Sequence, residues 1–411
     1  MLLHYFLQRR LRLGRLMVIY ADGSARNYGD GSGKPIAVRM TRRGERRVAR
    51  DPDLGLGEAY MDGDLVFDQG EVTDLLAMVR SNSPMGQPLH RRGQGRLWAS
   101  LMDRWRQSND RGRAQRNIAH HYDLGIDLYR SFLDEDLQYS CAYFPQPDLS
   151  LEQAQVAKKA HLAAKLRLKP GHRVLDIGCG WGGLALSLAR DHGVEVLGVT
   201  LSGDQLATAR ARAEAAGLSH SAHFALADYR DLGGRFDRIV SVGMFEHTGQ
   251  PNFRTFFETL RERLTDDGIA VVHSIGRRGP PGATSAFMRK FIFPGGYIPA
   301  LSETTAAVEE SGLWITDIEV LRLHYAETIR HWRERFANER ERLALIYDER
   351  FCRMWEFYLA ISEFSFRDGS HMNFQLQLAR RIDAVPTTRG YMHEAERLGL
   401  CTIASRGRAG G

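Results

Sequence analysis

Cysteine is scarce in this chain, since only Cys141, Cys179, Cys352 and Cys401 occur among 411 residues. Their spacing fits neither a disulfide framework nor a zinc module, so the composition favours a reducing cytoplasm and no metal site. No uninterrupted apolar run is long enough to span a bilayer. The opening MLLHYFLQRRLRLGR is broken by arginines too early for a cleavable signal peptide. The sequence therefore predicts neither a secreted nor an integral membrane protein.

Acidic residues are also few at the start of the chain. Residues 1–50 hold eleven arginines and one lysine against three acidic residues, although the formal net charge of the whole chain is only +6. A basic surface of this kind favours an anionic partner, either nucleic acid or the acidic face of a membrane.

The length and the sequence pattern predict two domains. Residues 1–95 form a small N-terminal α+β domain that ends in a polar linker, and residues 96–405 form a larger α/β domain. The larger domain starts with GRLWASLMDRWRQ, in which Trp98 and Trp105 share an apolar helical face bordered by arginines. Such a helix either lies in a membrane interface or packs on the neighbouring domain.

Short apolar strands alternate with helices from about residue 117 onward. The strands are predicted at 173–177 and within GVEVLGVTLS, AHFALADY, DRIVSVGMFEHTG and IAVVHSIG. Between them, KKAHLAAKLRLKPGH predicts a helix closed by Pro170 and Gly171, and NFRTFFETLRERLTDDG predicts a helix ended by Gly268. This alternation is typical of a Rossmann-like, doubly wound parallel sheet whose ligand binds at the carboxyl ends of the strands.

A glycine-rich turn joins the first of these strands to its helix in VLDIGCGWGGLALSLA. Gly178 and Gly180 leave the backbone bare, so that a ligand can lie directly against it. The turn has no Lys-Ser or Lys-Thr, which argues against a phosphate loop, and Asp176 would repel a pyrophosphate but suit a cationic ligand. The stretch resembles the first motif of S-adenosylmethionine-dependent methyltransferases, which implies that Asp176 lies beside the methionine part of the cofactor.

Polar residues at the ends of the other strands complete the predicted site. The candidates for cofactor binding are Thr200, Ser202, Gln205, Asp228 and Tyr229. Glu246, His247 and His273 converge on the same edge of the sheet, where they can serve acid–base chemistry. A metal is disfavoured because no further ligands are evident.

A closer resemblance covers nearly the whole chain. The chain is similar to the cyclopropane-fatty-acyl-phospholipid synthases and the related mycolic acid cyclopropane synthases in GLGEAYMDGD, HHYDLGIDLYRSFLDEDLQYSCAYF, LDIGCGWGGLA, VTLSGDQLATA, SVGMFEHTG, VVHSIG, FIFPGGYIP and LRLHYAETIRHW. The resemblance implies an enzyme that transfers a methylene group from S-adenosylmethionine to the cis double bond of unsaturated phospholipid acyl chains. It also implies a homodimer, peripheral on the inner face of the membrane, with a helical cover over the acyl chain.

The resemblance also assigns roles to particular residues. The family's bicarbonate site falls on Cys141 beside Ser140, and on Glu246, His273, Ile275 and Tyr325; Tyr139 and Ser140 would also touch the methionine end of the cofactor. Methyl transfer to an alkene leaves a carbocation that must be shielded from water, and a base must then remove a proton so that the ring closes. Bicarbonate would be that base.

One block departs from the family, and three alternatives stay open. The chain reads YLAISEFSF where the family often has a cysteine, so Ser362 takes that position near the expected acyl tunnel. Loss of a different proton from the carbocation would give a methylene branch or, after reduction, a methyl branch instead of a ring. An RNA methyltransferase is the alternative from another class, against which the chain lacks an AsnProProTyr-type block and a basic-aromatic RNA-binding motif, so no nucleic-acid partner is expected. The last alternative, a cofactor-binding protein without activity, is opposed by the complete set of candidate site residues.

Overall fold

The computed structural model describes residues 2–82 and 124–398 and divides the chain into two units. The first unit consists of Met1–Ser100, Ala283–Pro294 and Ile329–His371, and the second of Leu101–Gly282, Gly295–Thr328 and Met372–Gly411. The domain boundary predicted at 95–96 and the helix predicted after it lie outside the described residues, and both stay predictions.

The first unit contains a four-stranded sheet with the order β2-β1-β3-β4. Its strands are β1 Arg15–Ile19, β2 Ala25–Tyr28, β3 Pro35–Met40 and β4 Leu65–Gln69. Strand β1 pairs parallel with β3 and antiparallel with β2, and β4 pairs antiparallel with β3. The helices around the sheet are α1 Leu2–Arg10, α2 Arg42–Arg50, α3 Pro52–Met61 and α4 Val72–Ser81. Alternating buried residues, among them Leu16, Val18, Ile36 and Val38, form the core between them.

The second unit is built on a seven-stranded sheet with the order β10-β11-β9-β8-β5-β6-β7. Its strands are β5 Arg173–Ile177, β6 Glu195–Thr200, β7 Ala222–Leu226, β8 Phe236–Val242, β9 Leu264–Arg277, β10 Trp314–Val320 and β11 His371–Ala379. Strands β5 to β9 pair in parallel, and β10 pairs antiparallel with β11. This arrangement confirms the predicted α/β sheet.

Six α-helices that the structure describes lie within the second unit and are named in chain order. They are α5 Ile126–Phe132, α6 Leu151–Leu166, α7 Gly183–His192, α8 Gly203–Ala215, α9 Phe253–Arg263 and α10 Leu301–Ser311. Helix α6 starts at a capping box on Ser150 and ends with Arg167 in the left-handed region, so it stops before the predicted Pro170. Helix α9 ends at Arg263 rather than at Gly268, because Leu264 pairs with Phe236 and so starts β9.

The late aromatic segment folds as two long helices followed by a strand. The helices are α11 His324–Ile346 and α12 Glu349–Arg367, and their aromatic residues Trp332, Phe336 and Trp355 are buried. Residues 371–379 form β11 instead of continuing the helix. The reason is visible in the sequence, because the apolar residues from Phe374 to Leu378 alternate with polar ones at a period of two. Within the described residues, no helix is both long and apolar enough to cross a membrane.

Candidate active site

The glycine turn between β5 and α7 opens one wall of a cleft in the second unit. Gly178, Gly180 and Gly182 have φ values of 81°, 54° and 84°, which non-glycine residues rarely adopt. A Cβ atom added to Gly178 would lie 2.9 Å from the Cβ of Met244, whereas one added to Gly180 would meet nothing within 4 Å. The turn therefore presents bare backbone on the side of Gly180, where a ligand can approach closely.

Nine of the ten residues predicted to bind the cofactor line this same cleft. They are Tyr139, Ser140, Asp176, Gly178, Gly180, Thr200, Gln205, Asp228 and Tyr229. The empty volume is about 1200 Å³, including its opening to solvent. Ser202 is not among the lining residues, because its hydroxyl caps α8 by accepting a hydrogen bond from the Gln205 amide over 3.3 Å.

The polar groups at the ends of β6 and β7 are fixed by their own partners. The buried Thr200 hydroxyl donates to Oε1 of Gln205 over 2.7 Å. The Asp228 carboxylate accepts two hydrogen bonds from the Arg230 guanidinium, the shorter of them 2.6 Å. These side chains are therefore held in place before any ligand binds.

Asp176 is the buried acid of the cleft. Only 2% of it is exposed, and among the described residues its Oδ2 has no hydrogen-bond partner. Burial raises the pKa of Asp176 to about 7, and the positive charge of Lys158 opposes that shift. A carboxyl group in this state fits a cationic ligand, whose charge would favour ionisation. The residues present therefore fit S-adenosylmethionine, which carries a sulfonium and an ammonium group.

Helix α6 holds the segment that forms the opposite wall. The ammonium of Lys158, which is 1% exposed, donates to Oε1 of Gln138 over 2.5 Å and to the Ser140 hydroxyl over 3.0 Å. One turn earlier, the Gln155 amide donates to the backbone carbonyls of Gln138 and Ser140. Burial lowers the pKa of Lys158 to about 8. In this wall Leu137 has a φ of 58°, which is rare for a residue with a side chain.

Glu246 is buried close to the cleft in the chain, since Met244, two residues before it, and His247, directly after it, both line the cleft. The side chain is buried, and Oε1 accepts a 2.5 Å hydrogen bond from the Ile275 amide. Oε2 has no hydrogen-bond partner within the part of the chain that the structure describes. Burial raises the pKa of Glu246 to about 7, so the group can gain or lose a proton near neutrality.

His273 lies two residues before Ile275 on β9 and is held between two amides of β11. Nε2 of His273 is 3.1 Å from Nδ2 of Asn373, and Nδ1 is 3.1 Å from Nε2 of Gln375. Burial lowers the pKa of His273 to about 3, so the ring stays neutral. A neutral imidazole has one donor and one acceptor, so one of the two amides must present its oxygen to the ring.

Cys141 and Tyr325 lie on two segments that hydrogen bonds join. The Ala142 amide donates to the Thr328 hydroxyl over 3.0 Å, and the Phe144 amide donates to Nδ1 of His324 over 2.9 Å. Tyr325 follows His324 at the start of α11, three residues before Thr328. The Cys141 thiol is fully buried, and burial raises its pKa, so it is not a thiolate at neutral pH.

Ser362 belongs to the first unit, where it is half-buried on α12. Several residues that line the cleft were not predicted, namely Gln138, Trp181, Met244 and Thr248. Trp181 lies inside the glycine motif and could have been included on that ground. Lys158 had no such signal, because a lysine in an amphipathic helix ordinarily faces solvent.

Comparisons with known proteins show two family matches and similar proteins. The family described as mycolic acid cyclopropane synthetase matches residues 109–376, and a family of unknown function matches residues 3–86. The chain is 38% identical over 338 residues to the cyclopropane-fatty-acyl-phospholipid synthase of Escherichia coli K12, covering 82% of this chain and 86% of the relative. It is 36% identical over 380 residues to the tuberculostearic acid methyltransferase UfaA1 of Mycobacterium tuberculosis, covering 89% and 88%.

A solved structure is similar to about two thirds of the chain. The mycolic acid cyclopropane synthase CmaA1, complexed with SAH and CTAB, superposes with a TM-score of 0.61 at 31% sequence identity. The match covers 64% of this chain and 97% of that one.

Proposed function

This chain belongs to the mycolic acid cyclopropane synthetase family, and on that premise we propose that it converts cis double bonds of phospholipid acyl chains into cyclopropane rings. As a member of the family it is an S-adenosylmethionine-dependent methyltransferase. When bound, S-adenosylmethionine supplies an electrophilic methyl carbon to the alkene. The protein must then orient the two reactants, exclude water and assist the removal of one proton from the transferred methyl group.

The cleft of the second unit would hold the cofactor. The part of the cofactor that contacts the backbone would lie on the open side of Gly180. The carboxylate of Asp176 would pair with a positive charge of the cofactor. Tyr139 and Ser140 close the opposite wall, and Lys158 fixes that wall from behind. Thr200, Gln205, Asp228 and Tyr229 offer polar groups to the ribose and adenine.

A proton must leave the transferred methyl group before the ring can close. We propose bicarbonate as the base, held near Glu246, His273 and Tyr325, with the Ile275 amide and Cys141 at the edge of the site. Methyl transfer to one alkene carbon would leave the cation on the other carbon. A proton of the new methyl group would then pass to the base held near Glu246, and the electron pair of that C–H bond would close the ring. Ser362 would line the acyl-chain path.

The observation that supports this proposal most directly is the state of Glu246. One carboxyl oxygen is fixed by the Ile275 amide, the other has no partner among the described residues, and its pKa is raised to about 7. A carboxyl group with these properties can accept a hydrogen bond from bicarbonate and tune its basicity.

The test is to incubate the protein with vesicles of oleoyl phospholipid and S-adenosylmethionine labelled with ¹³C in the methyl group. Label in a ring carbon, recognised by the upfield ring-proton signals in the NMR spectrum, is the expected result. Omission of bicarbonate should lower the rate, and its addition should restore it. Label that enters RNA but not lipid would overturn the proposal.

A second candidate is methyl branching of the same chains. The similarity to an enzyme named a methyltransferase of tuberculostearic acid favours it. A methylene branch has the same mass as the ring, so the NMR spectrum is required to separate the two; olefinic methylene signals would favour branching. The proposal further includes a homodimer and a peripheral location on the membrane, which sedimentation and vesicle binding test.

A further inference from the structure

The N-terminal segment separates its charges along the chain, and the fold pairs only part of them. After the basic residues 1–50, residues 51–82 hold eight acidic residues and one arginine. On α2, Arg43 and Arg47 both bind Asp62, over 2.8 and 2.6 Å, and both lie within 3.4 Å of Asp64. These two arginines therefore hold α2 against the loop before β4.

The other three arginines of α2 do not bind Asp62 or Asp64. Arg42, Arg46 and Arg50 are exposed and follow one another at intervals of four residues, which places them on one face of the helix. Within the described ranges, none of these three guanidinium groups has an ion pair or a hydrogen bond to a side chain or the backbone. We call these three residues the arginine stripe.

The stripe does not stabilise the fold. Like charges four residues apart on a helix repel each other and destabilise it. The acidic residues of the following segment are paired elsewhere, for example Asp68 with Arg39 and Asp74 with Lys34. A repulsive row of cations that finds no counter-charge among the described residues indicates an anionic partner.

The surroundings favour a lipid surface over nucleic acid. Helix α1 contacts α2, and Leu3 of α1 shares a buried cluster with Val48 of α2. Two apolar side chains of α1 remain outside that core, with exposed fractions of 81% for Leu2 and 62% for Tyr5. Basic side chains combined with exposed apolar ones are typical of elements that lie in a membrane interface.

We infer that the arginine stripe and the exposed side chains of α1 dock this domain on the anionic face of a phospholipid bilayer. The inference rests on the proposed function for its choice of partner, and it assigns a task to the part of the chain that matches a family of unknown function. Phosphate oxygens would accept hydrogen bonds from the guanidinium groups, while Leu2 and Tyr5 enter the interface.

The test compares vesicle binding by the full-length protein and by Arg42→Gln/Arg46→Gln/Arg50→Gln. In low salt, the partition onto phosphatidylglycerol vesicles should fall by about a hundredfold, since each basic side chain near an anionic surface contributes about 1 kcal/mol. The loss should shrink at high salt, where screening already weakens the attraction. The variant Arg42→Lys/Arg46→Lys/Arg50→Lys should keep most of the vesicle binding, because lysine carries the same positive charge as arginine.

The matched control is Arg190→Gln/Arg254→Gln/Arg381→Gln, which removes the same charge from other exposed sites. It should bind vesicles nearly as well as the unchanged protein. Equal losses in the two triple variants would overturn the inference in favour of net charge alone. Unchanged vesicle binding of the stripe variant together with lost RNA binding would overturn it in favour of nucleic acid. The assay needs no turnover, so its outcome is separate from that of the lipid-labelling test.

Discussion

The ammonium of Lys158 donates a 3.0 Å hydrogen bond to the hydroxyl of Ser140, in the wall of the cofactor cleft. This contact links a buried charge on α6 to a residue that faces the ligand. The same charge acts on the Asp176 carboxyl group, whose pKa it helps to lower against the effect of burial. Other ionisable groups around Lys158 are Asp134, Asp136, Lys159, Cys141 and His273. Lys158 is therefore a positioning residue with an electrostatic task.

Replacement Lys158→Met should weaken S-adenosylmethionine binding and move its pH dependence. Without the ammonium, the pKa of Asp176 rises further above 7, so the pH midpoint of binding shifts upward. The control Gln155→Leu loosens the same wall, through the carbonyls of Gln138 and Ser140, but removes no charge. It should lower the affinity without moving the midpoint. Calorimetric titrations of the cofactor over a range of pH distinguish the two variants. If Lys158→Met has the same pH midpoint of binding as the unchanged protein, the role of Lys158 is packing alone.

Cofactor affinity of the unchanged protein should rise with pH through about 7. The pKa of Asp176 is raised to about 7, so its carboxyl group is mostly protonated below that pH and ionised above it. A cationic ligand binds the ionised form, so affinity at about pH 6 should be about tenfold lower than at about pH 8. The cofactor itself also titrates, but it does so equally with the unchanged protein and with Asp176→Asn. The difference in affinity between the two proteins therefore reports the titration of Asp176. If both proteins show the same pH dependence, Asp176 does not pair with the cofactor.

Replacement Gly180→Val should abolish detectable cofactor binding while the first unit stays folded. The branched side chain would occupy the open space beside the turn, and the φ of 54° is also unfavourable for valine. Circular dichroism checks the fold, and calorimetry measures the affinity. Gly217→Val, at a positive φ in a turn with open space, is the matched control for backbone strain. Unchanged affinity in Gly180→Val would contradict the position given to the cofactor.

Replacement Glu246→Gln should lower turnover by about two orders of magnitude or more, the usual contribution of a positioned acid–base group. The amide keeps the size of the side chain and can still accept the hydrogen bond from Ile275, but it cannot change its charge. Cofactor affinity should be nearly unchanged, because Glu246 does not line the cleft. The products should be analysed by NMR beside the binding titration. A full yield of rings would remove Glu246 from the mechanism, and lost binding would assign it to the cofactor site.

The sequence predicts secondary structure most accurately where a local pattern, such as a buried strand followed by glycines, determines the backbone conformation. The bounds of β5 and the position of the glycine turn were predicted correctly, because a buried strand followed by glycines admits few other structures. The start of β9 was missed because the pairing of Leu264 with Phe236 is a tertiary contact that no local pattern records. The role of Lys158 was missed for the same reason, since its burial depends on the packing of α6 against the segment around Ser140.

The basic and acidic residues of the N-terminal domain lie in successive stretches of the chain, so truncation between them removes mainly acidic residues. A fragment that ends before Pro52 would keep α2 but lose Asp62 and Asp64, the anions that bind Arg43 and Arg47. It would also lack β4, which forms one edge of the four-stranded sheet. Such a fragment holds twelve basic residues against four acidic ones, so it is a polycation prone to bind any polyanion in a cell extract. Residues 1–51 and residues 52–82 are therefore parts of one unit, and a graft onto another protein must include both.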